Sequence, residues 1–321
     1  MGVTDGKTGR IIQVLMDMKS LFTRIVTVAV AIAATSLSAF SQTRVVEHDL
    51  SPFEAIDAEN GFKVSIVKSD LYGIKLTVDD ALESYVECYV KAGTLHISMD
   101  EKSIPKDVKK LYKGRNSGDP TIVAVVYMPT LKSLTLSDNS EFYNSGNLSG
   151  DSFNLTMGGS SKTSDLRIVS KNVSVSVGKN AKLSNANITA EGDLTVAVDG
   201  KSVTSITCAA ENLSLTIAGS SEININGAIE KKATVATTGS AKATMSGSAE
   251  DLEINGKSTS CKVDASLLKV ENALVAVTGT FVDIAPAKTL ELDLGKASEV
   301  CYSGDPAVKI VKIQNSSVLR K

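Results

Sequence analysis

Tryptophan is absent, and aromatic residues make up only 4% of the 321 positions. A core without large rings has to be filled by Val, Ile, Leu and Ala, and β-branched side chains of this kind fit the pleated surface of stacked strands. Histidine occurs twice, at His48 and His96. His48 lies near the expected mature terminus, and His96 alternates with Leu95 and Ile97 as an exposed strand residue would. Neither has a nucleophile at a readable spacing, and zinc asks for three or four ligands. The formal charge of -2 excludes the basic excess of a general nucleic-acid surface. The most apolar stretch, 25–34, falls short of the roughly 20 residues that cross a bilayer, so no integral membrane segment is expected in the mature chain.

That apolar stretch reads instead as the middle of an export leader. Lys19 and Arg24 supply its basic start, and Ala39-Phe40-Ser41 places small residues where a signal peptidase inspects them. The expected leader is 18–41, and the mature chain starts at Gln42. Residues 1–17 lack this pattern, which makes Met18 the expected start codon and 1–17 a mis-assigned extension.

What the chain has in abundance is one short phrase, written nine times between about Ser133 and Ser298. An alternating apolar run ends on Leu136, Met157, Val177, Val198, Ile217, Thr237, Ile254, Val277 or Leu294, at a period of about 20 residues. A period of this length is the signature of a solenoid. Leucine-rich repeats share it, but they need a helical return, whereas here both halves of the unit alternate with period two. Glu222-Ile223-Asn224-Ile225-Asn226-Gly227 shows the second half. The expected fold is therefore all-β: a right-handed parallel β-helix of nine to ten coils over 131–321, the hand being that of nearly all parallel crossovers. Residues 42–130 form a β-strand cap, with strands at 53–58, 62–66, 74–78, 85–90, 94–98 and 122–127. Asp79 to Ser84 reads as one helical turn. A polar, basic loop follows at 100–120, carrying Lys102, Lys106, Lys109, Lys110, Lys113 and Arg115.

Within two positions of eight of the nine anchors stands a glycine: Gly158, Gly178, Gly200, Gly219, Gly239, Gly256, Gly279 and Gly295. Each is expected to turn a coil corner. Four positions after the anchor come Ser140, Ser161, Ala181, Ser202, Ser221, Ala241, Ser258 and Ser298, with Phe281 the outlier. These small residues let the corner close, and serines stacked there can hydrogen-bond along the axis. Cys261 and Cys301 each lie seven residues after an anchor, which puts them in one column two coils apart. At about 4.8 Å per strand that is roughly 9.6 Å, beyond the reach of a disulfide. All four cysteines, Cys88 and Cys208 included, are expected as free thiols. Lys309, Lys312, Arg320 and Lys321 put charge on the last strands, which discourages edge-to-edge growth.

Several of these pieces, taken in order, carry a resemblance. They are Phe53-x-x-Ile56-x-Ala58-x-x-Gly61-Phe62-x-Val64-x-Ile66, then Gly93-Thr94-Leu95-His96-Ile97, the Met128-Pro129-x-Leu131-x-x-Leu134 junction, the serial small-residue turns and Val300-Cys301-Tyr302-Ser303-Gly304-Asp305-Pro306. Together they resemble the auto-transporter adhesin family known as the head GIN domain. The resemblance implies an exported β-helical protein of the kind common in Bacteroidetes, located in the periplasm, at the outer surface or outside the cell.

Parallel β-helices also include polysaccharide lyases and hydrolases, whose chemistry needs converging carboxylates or a basic residue beside them. The outward positions of the first strand are instead Thr135, Asn154, Thr156, Ser174, Ser176, Thr195, Ala197, Ser214, Thr216, Thr234 and Ala236, with acids only at Glu253, Glu291 and Asp293. The densest acids, Asp283, Glu291, Asp293 and Glu299, read as solvated, with a weak cation site as the sharper alternative. No catalytic, cofactor-binding or metal-ligating residue is assigned, and no cofactor is expected. The functional expectation is a non-enzymatic adhesin-like or envelope scaffold whose flat Ser/Thr face meets a cell-surface glycan or protein, or a second copy of the chain. A polysaccharide-processing enzyme is the alternative.

Overall fold

The computed structural model describes residues 43–113, 119–144, 146–314 and 317–321. The leader at 18–41, the extension at 1–17 and Arg115 of the basic loop lie outside these residues. The alternating phrases become strands wound into a parallel β-solenoid of about nine turns, and each turn has three faces.

The first face begins with β2 (Ala55–Ala58), β6 (Thr94–Met99) and β8 (Ser133–Leu136). It continues through the second halves of β10 (Asn147–Met157) and β12 (Arg167–Val177), then β14 (Asp193–Val198) and the ends of β15 (Val203–Ile217) and β16 (Glu222–Thr237). It closes within β17 (Lys242–Leu294), which winds through more than two coils without a break, and with β19 (Ala307–Ile313). The second face holds β3 (Lys63–Lys68), β7 (Ile122–Met128), β9 (Glu141–Tyr143), β11 (Lys162–Ser164) and the start of β13 (Lys182–Ala190). It ends with β18 (Glu299–Tyr302) and β20 (Val318–Arg320). The first halves of β10 and β12 and the second half of β13 pair in parallel on the third face.

Period two sends every second residue inward. All nine anchors from Leu136 to Leu294 are buried, and so are Leu155, Val175, Val196, Leu215 and Val235 one pleat earlier. Each such aliphatic side chain contributes about 1.5–3 kcal/mol. The few rings gather at the N-terminal coils, where Phe53, Phe62, Phe142 and Phe153 are among the largest fully buried side chains. Where the third face turns into the first, a polar ladder runs along the outer side. Asn212 donates to Asp193 at 3.0 Å, and Asn272 donates to Asp251 at 2.9 Å while accepting from Thr289 at 2.8 Å.

The corner after the first face follows the sequence expectation at Gly200, Gly219, Gly239 and Gly279 and departs from it at Gly158, Gly178, Gly256 and Gly295, none of which has positive φ. The residues with positive φ are Asp138, Gly159, Lys179, Gly200, Gly219, Gly239 and Gly279, each two after its anchor. Gly158 and Gly178 therefore precede the turn residue, and Gly295 precedes Ala297, at φ 57. Corners stack so closely that a side chain on the later glycine would strike the backbone of the coil before it. The serines two positions further are buried, but they do not bond one another. Ser221 Oγ donates to Ala218 O of its own corner at 2.7 Å and to Val198 O of the preceding coil at 3.3 Å. Ser298 makes the same pair of bonds to Gly295 and Val277, both 2.9 Å.

One coil slips. Thr237 pairs with Gly256, not with Ile254, which faces Val235. The segment after Gly256 carries one extra residue, so buried Cys261 takes the corner position and Ser258 turns outward to Gly239 O at 2.9 Å. The next coil restores the register, with buried Thr280 at the corner and Phe281 beside Glu299. Cys261 and Cys301 consequently do not share a column: Cys301 lies opposite Asp283 on the outer side of the second face, half-buried. All four cysteines are free.

The N-terminal coils are out of chain order. β2 lies between β6 and β8, and β3 lies between β7 and β9. The coil made of β6 and β7 therefore sits outside the one that precedes it in sequence. Three antiparallel strands close that end: β5 (Val86–Lys91) on β6, β4 (Gly73–Asp79) on β7, and β1 (Thr43–Asp49) on β4. β1 was not expected from its sequence. A 3₁₀ turn at Glu83–Tyr85 falls close to the helical turn read at 79–84. The basic stretch is not all loop. It contains the helix α1 (Lys106–Leu111), and the spacing of Ile104, Val108 and Tyr112 packs one helical side onto the core. Burial and the Asp79 carboxylate push the Tyr112 phenol up to about 12.

At the C-terminal end the expected charges are present, exposed and mostly paired with acids of neighbouring segments. Lys309 pairs with Glu291 at 3.0 Å and Arg320 with Glu299 at 3.3 Å. Every residue of β19 is exposed, Val308, Ile310 and Ile313 among them, although these pair with the core positions Leu290, Leu292 and Leu294.

Candidate functional site

Residues directly opposite in a paired sheet point to the same side, so register alone defines the outer columns of the first face. One column starts at Tyr89 on β5, crosses to His96 and then to Asp57, and continues through Thr135, Thr156, Ser176, Ala197, Thr216, Ala236 and Asn255. Ten strands at about 4.8 Å give a strip roughly 43 Å long. The adjacent column runs Lys91, Thr94, Ala55, Ser133, Asn154, Ser174, Thr195, Ser214, Thr234 and Glu253. Thr156, Ser174, Ser176, Thr195, Ser214 and Thr216 are exposed. Their hydroxyls can both donate and accept, and their short side chains leave the surface without a wall on either side.

The head of the strip is chemically distinct. The Tyr89 and His96 rings stack with centroids 5.1 Å apart and planes 24° from parallel. His96 Nδ1 lies 3.3 Å from Asp57 Oδ2. The histidine is therefore not a lone exposed strand residue, as its alternation had implied, but a half-buried one held between an aromatic ring and a carboxylate. Glu59 follows on the same edge. Burial pushes its carboxyl up, the charges of Asp57 and Asp138 push further, and His96 opposes them. One signal for this cluster was present in the sequence. The Ala92-Gly93 turn, both residues at positive φ, closes a two-residue hairpin that sets Tyr89 opposite His96. Nothing in the repeat spacing brings Asp57 alongside.

At the other end the acids alternate with bases. Lys232 pairs with Glu253, Lys309 with Glu291 at 3.0 Å, and Lys312 lies opposite Asp293. Asp283 lies between Phe281 and Ile284 on the second face, away from Glu291 and Asp293 on the first. Among the described residues no group of three or more His, Cys, Asp or Glu side chains is placed to hold a metal ion. A shallow cavity of about 470 Å³ opens at the slipped coil, lined by Gly239, Lys257, Ser258 and Thr278, with no carboxylate in its wall. No helix among the described residues is long and apolar enough to cross a membrane.

No curated protein matches the chain. A crystal structure of a "putative adhesin" from Parabacteroides distasonis is similar at 17% identity, covering 88% of this chain and 98% of that one with a TM-score of 0.46. A "putative adhesin" from Parabacteroides merdae has 18% identity, 87% and 96% coverage and a TM-score of 0.38. A "putative lipid binding protein" from Parabacteroides distasonis has 16% identity, 87% and 94% coverage and a TM-score of 0.40. The family described as "Putative auto-transporter adhesin, head GIN domain" matches residues 52–226 and 186–306. Those two matches together span most of the solenoid, and the chain belongs to that family.

Proposed function

We propose that the protein is an exported, non-enzymatic adhesin-type scaffold that meets its partner through the first face. The observation that carries this reading is the unbroken strip from Tyr89 to Asn255, whose outer positions are mostly hydroxyl or amide side chains in register over ten strands. A polysaccharide-cleaving site would converge carboxylates in a groove. Toward the C-terminal end the acids of this face are paired with lysines, and at its head Asp57 is engaged by His96 on the sheet surface.

The test uses the mature chain, 42–321, coupled to beads and presented to glycan-coated and protein-coated surfaces. Ser176→Arg and Thr195→Arg place bulk and charge mid-strip and are expected to abolish capture. Thr189→Arg, exposed on the third face, is the control and keeps it. Loss of capture by the control alone, or release of new reducing ends or unsaturated products, overturns the reading. The same strip can receive a second copy of the chain, and sedimentation of the wild type as a monomer removes that version. Export is read from the leader, and intact mass of the exported protein is expected to show Gln42 as its first residue.

A further inference from the structure

The strip is uniform except at its head, where the chain departs from its own repeat. Tyr89 is 47% exposed, and one side of its ring is taken by His96. β5 pairs with β6 alone among the described strands, so the side of Tyr89 away from His96 is at the open edge of the sheet. No other large exposed apolar side chain shares its column or the adjacent one before Leu274, ten strands along from Tyr89's own. Around the ring stand Glu87 and Lys91 on β5, Ser98 and His96 on β6, and Asp57 and Glu59 beyond. Ser98 Oγ lies 3.5 Å from Glu87 Oε2, at the limit of a hydrogen bond, and its hydroxyl can turn to another partner.

One exposed aromatic ring among carboxylates and hydroxyls matches a particular ligand chemistry. A pyranose ring has an apolar face of C–H groups that packs on an aromatic ring, and a rim of hydroxyls that donate to carboxylates and exchange bonds with Ser and Thr. A lipid or an apolar peptide would leave those carboxylates desolvated and unpaired, which is costly. The local acids Asp57, Glu59 and Glu87 outnumber Lys91 and His96, which disfavours uronic and sialic acids. The raised Glu59 carboxyl agrees with an acid-crowded edge.

We infer that the head of the first face is a binding site for a neutral saccharide, with one sugar ring on Tyr89, its hydroxyls on Asp57 and Ser98, and the polymer running onto the hydroxyl strip. This rests on the first face being the contact surface and adds where on it, and for what, recognition occurs. A polysaccharide lying across the strands follows the two outer columns and meets one further pair of positions, most of them bearing a hydroxyl, at each strand.

Calorimetric titration of the mature chain with dextran, laminarin, yeast mannan and polygalacturonate tests it. At least one neutral polymer is expected to bind, and polygalacturonate more weakly. Tyr89→Ala should weaken binding by about 10-fold or more, while Tyr89→Phe, which keeps the ring, stays within about 3-fold. Thr189→Arg, exposed on the third face and outside the strip, should leave the affinity of a short oligosaccharide unchanged. Circular dichroism confirms that each variant is folded. No binding by any neutral polymer, tighter binding of polygalacturonate, or equal binding by Tyr89→Ala overturns the site. If Ser214→Arg, mid-strip and remote from Tyr89, loses short-oligosaccharide binding while Tyr89→Ala keeps it, this site fails and the first-face reading stands. If Ser176→Arg and Thr195→Arg leave bead capture intact while Tyr89→Ala loses sugar binding, the wider reading fails and this site stands.

Discussion

Gly219 stacks on Gly200 with its backbone at φ +67, and a Cβ there would come within 2.7 Å of Gly200 O. The corner column thus asks for two things at once, a left-handed conformation and the absence of a side chain on the stacking side. Lys179 satisfies the first at φ 59 with a full side chain. An L-residue in that region costs about 1–2 kcal/mol. Gly219→Ala should therefore destabilise by at least that amount, because the steric clash adds to the backbone cost. Lys179→Gly should be neutral or mildly stabilising, as the relief of strain offsets the entropy that glycine loses on folding. Paired thermal melts check it, with a lowered midpoint expected for Gly219→Ala and an unchanged or slightly raised one for Lys179→Gly.

Leu215 is 1% exposed and lies between Val196 and Val235 in the coils on either side. Leu215→Ala should cost about 2–5 kcal/mol. Because coils are stabilised by their neighbours, the loss should appear as a lower midpoint in denaturant, followed by circular dichroism.

Glu59 has a carboxyl held above its ordinary value of 4.5, first by burial and then by Asp57 and Asp138. A folded state that holds its proton more tightly than the unfolded one loses stability as pH rises from about 4.5 through the folded value. Glu59→Gln should remove that loss. The variant is expected to melt with the wild type at pH 3 and above it at pH 7, a difference that scanning calorimetry reads directly. A gain of equal size at both values would show that the cause is packing and not ionisation.

Burial pushes the Cys208 thiol up to about 11, and Cys261 is 1% exposed. Cys88 is also raised to about 11. At pH 8 a thiol titrating near 11 is about one part in a thousand thiolate, the species that reacts. Burial, Glu299 and Asp283 raise the Cys301 thiol as well, but it stands half-buried on the outer side of the second face, so iodoacetamide should label it ahead of the other three. Cys208 and Cys261 should react only once the chain is unfolded, and peptide mass spectrometry orders the sites.

How much of this was legible follows from which interactions are local in sequence. The anchors from Leu136 to Leu294 and the alternation of Ile223 and Ile225 are readable because a stacked strand buries every second residue wherever it sits. The corner was read correctly at Gly200, Gly219, Gly239 and Gly279 and missed by one at Gly158 and Gly178, which adjoin the residue that carries positive φ; Asp138 and Lys179 show that the conformation, not the residue type, defines it. The slip at Gly256 was invisible, since one inserted residue before Cys261 is cancelled before Thr280. The Ala92-Gly93 turn already sets Tyr89 opposite His96, but His96 meets Asp57 because the coil of β6 and β7 lies outside the coil of β2 and β3, an inversion that no spacing encodes.

That inversion gives the molecule a seed with two growing ends. Residues 55–68 are the coil whose neighbours on both sides are made later, by 94–128 on one side and 133–143 on the other. A chain emerging N-terminus first presents this template before either flank exists. Both edges of this coil are thus closed by chain that follows it in sequence, on one side by the strands of the cap and on the other by the long repeat.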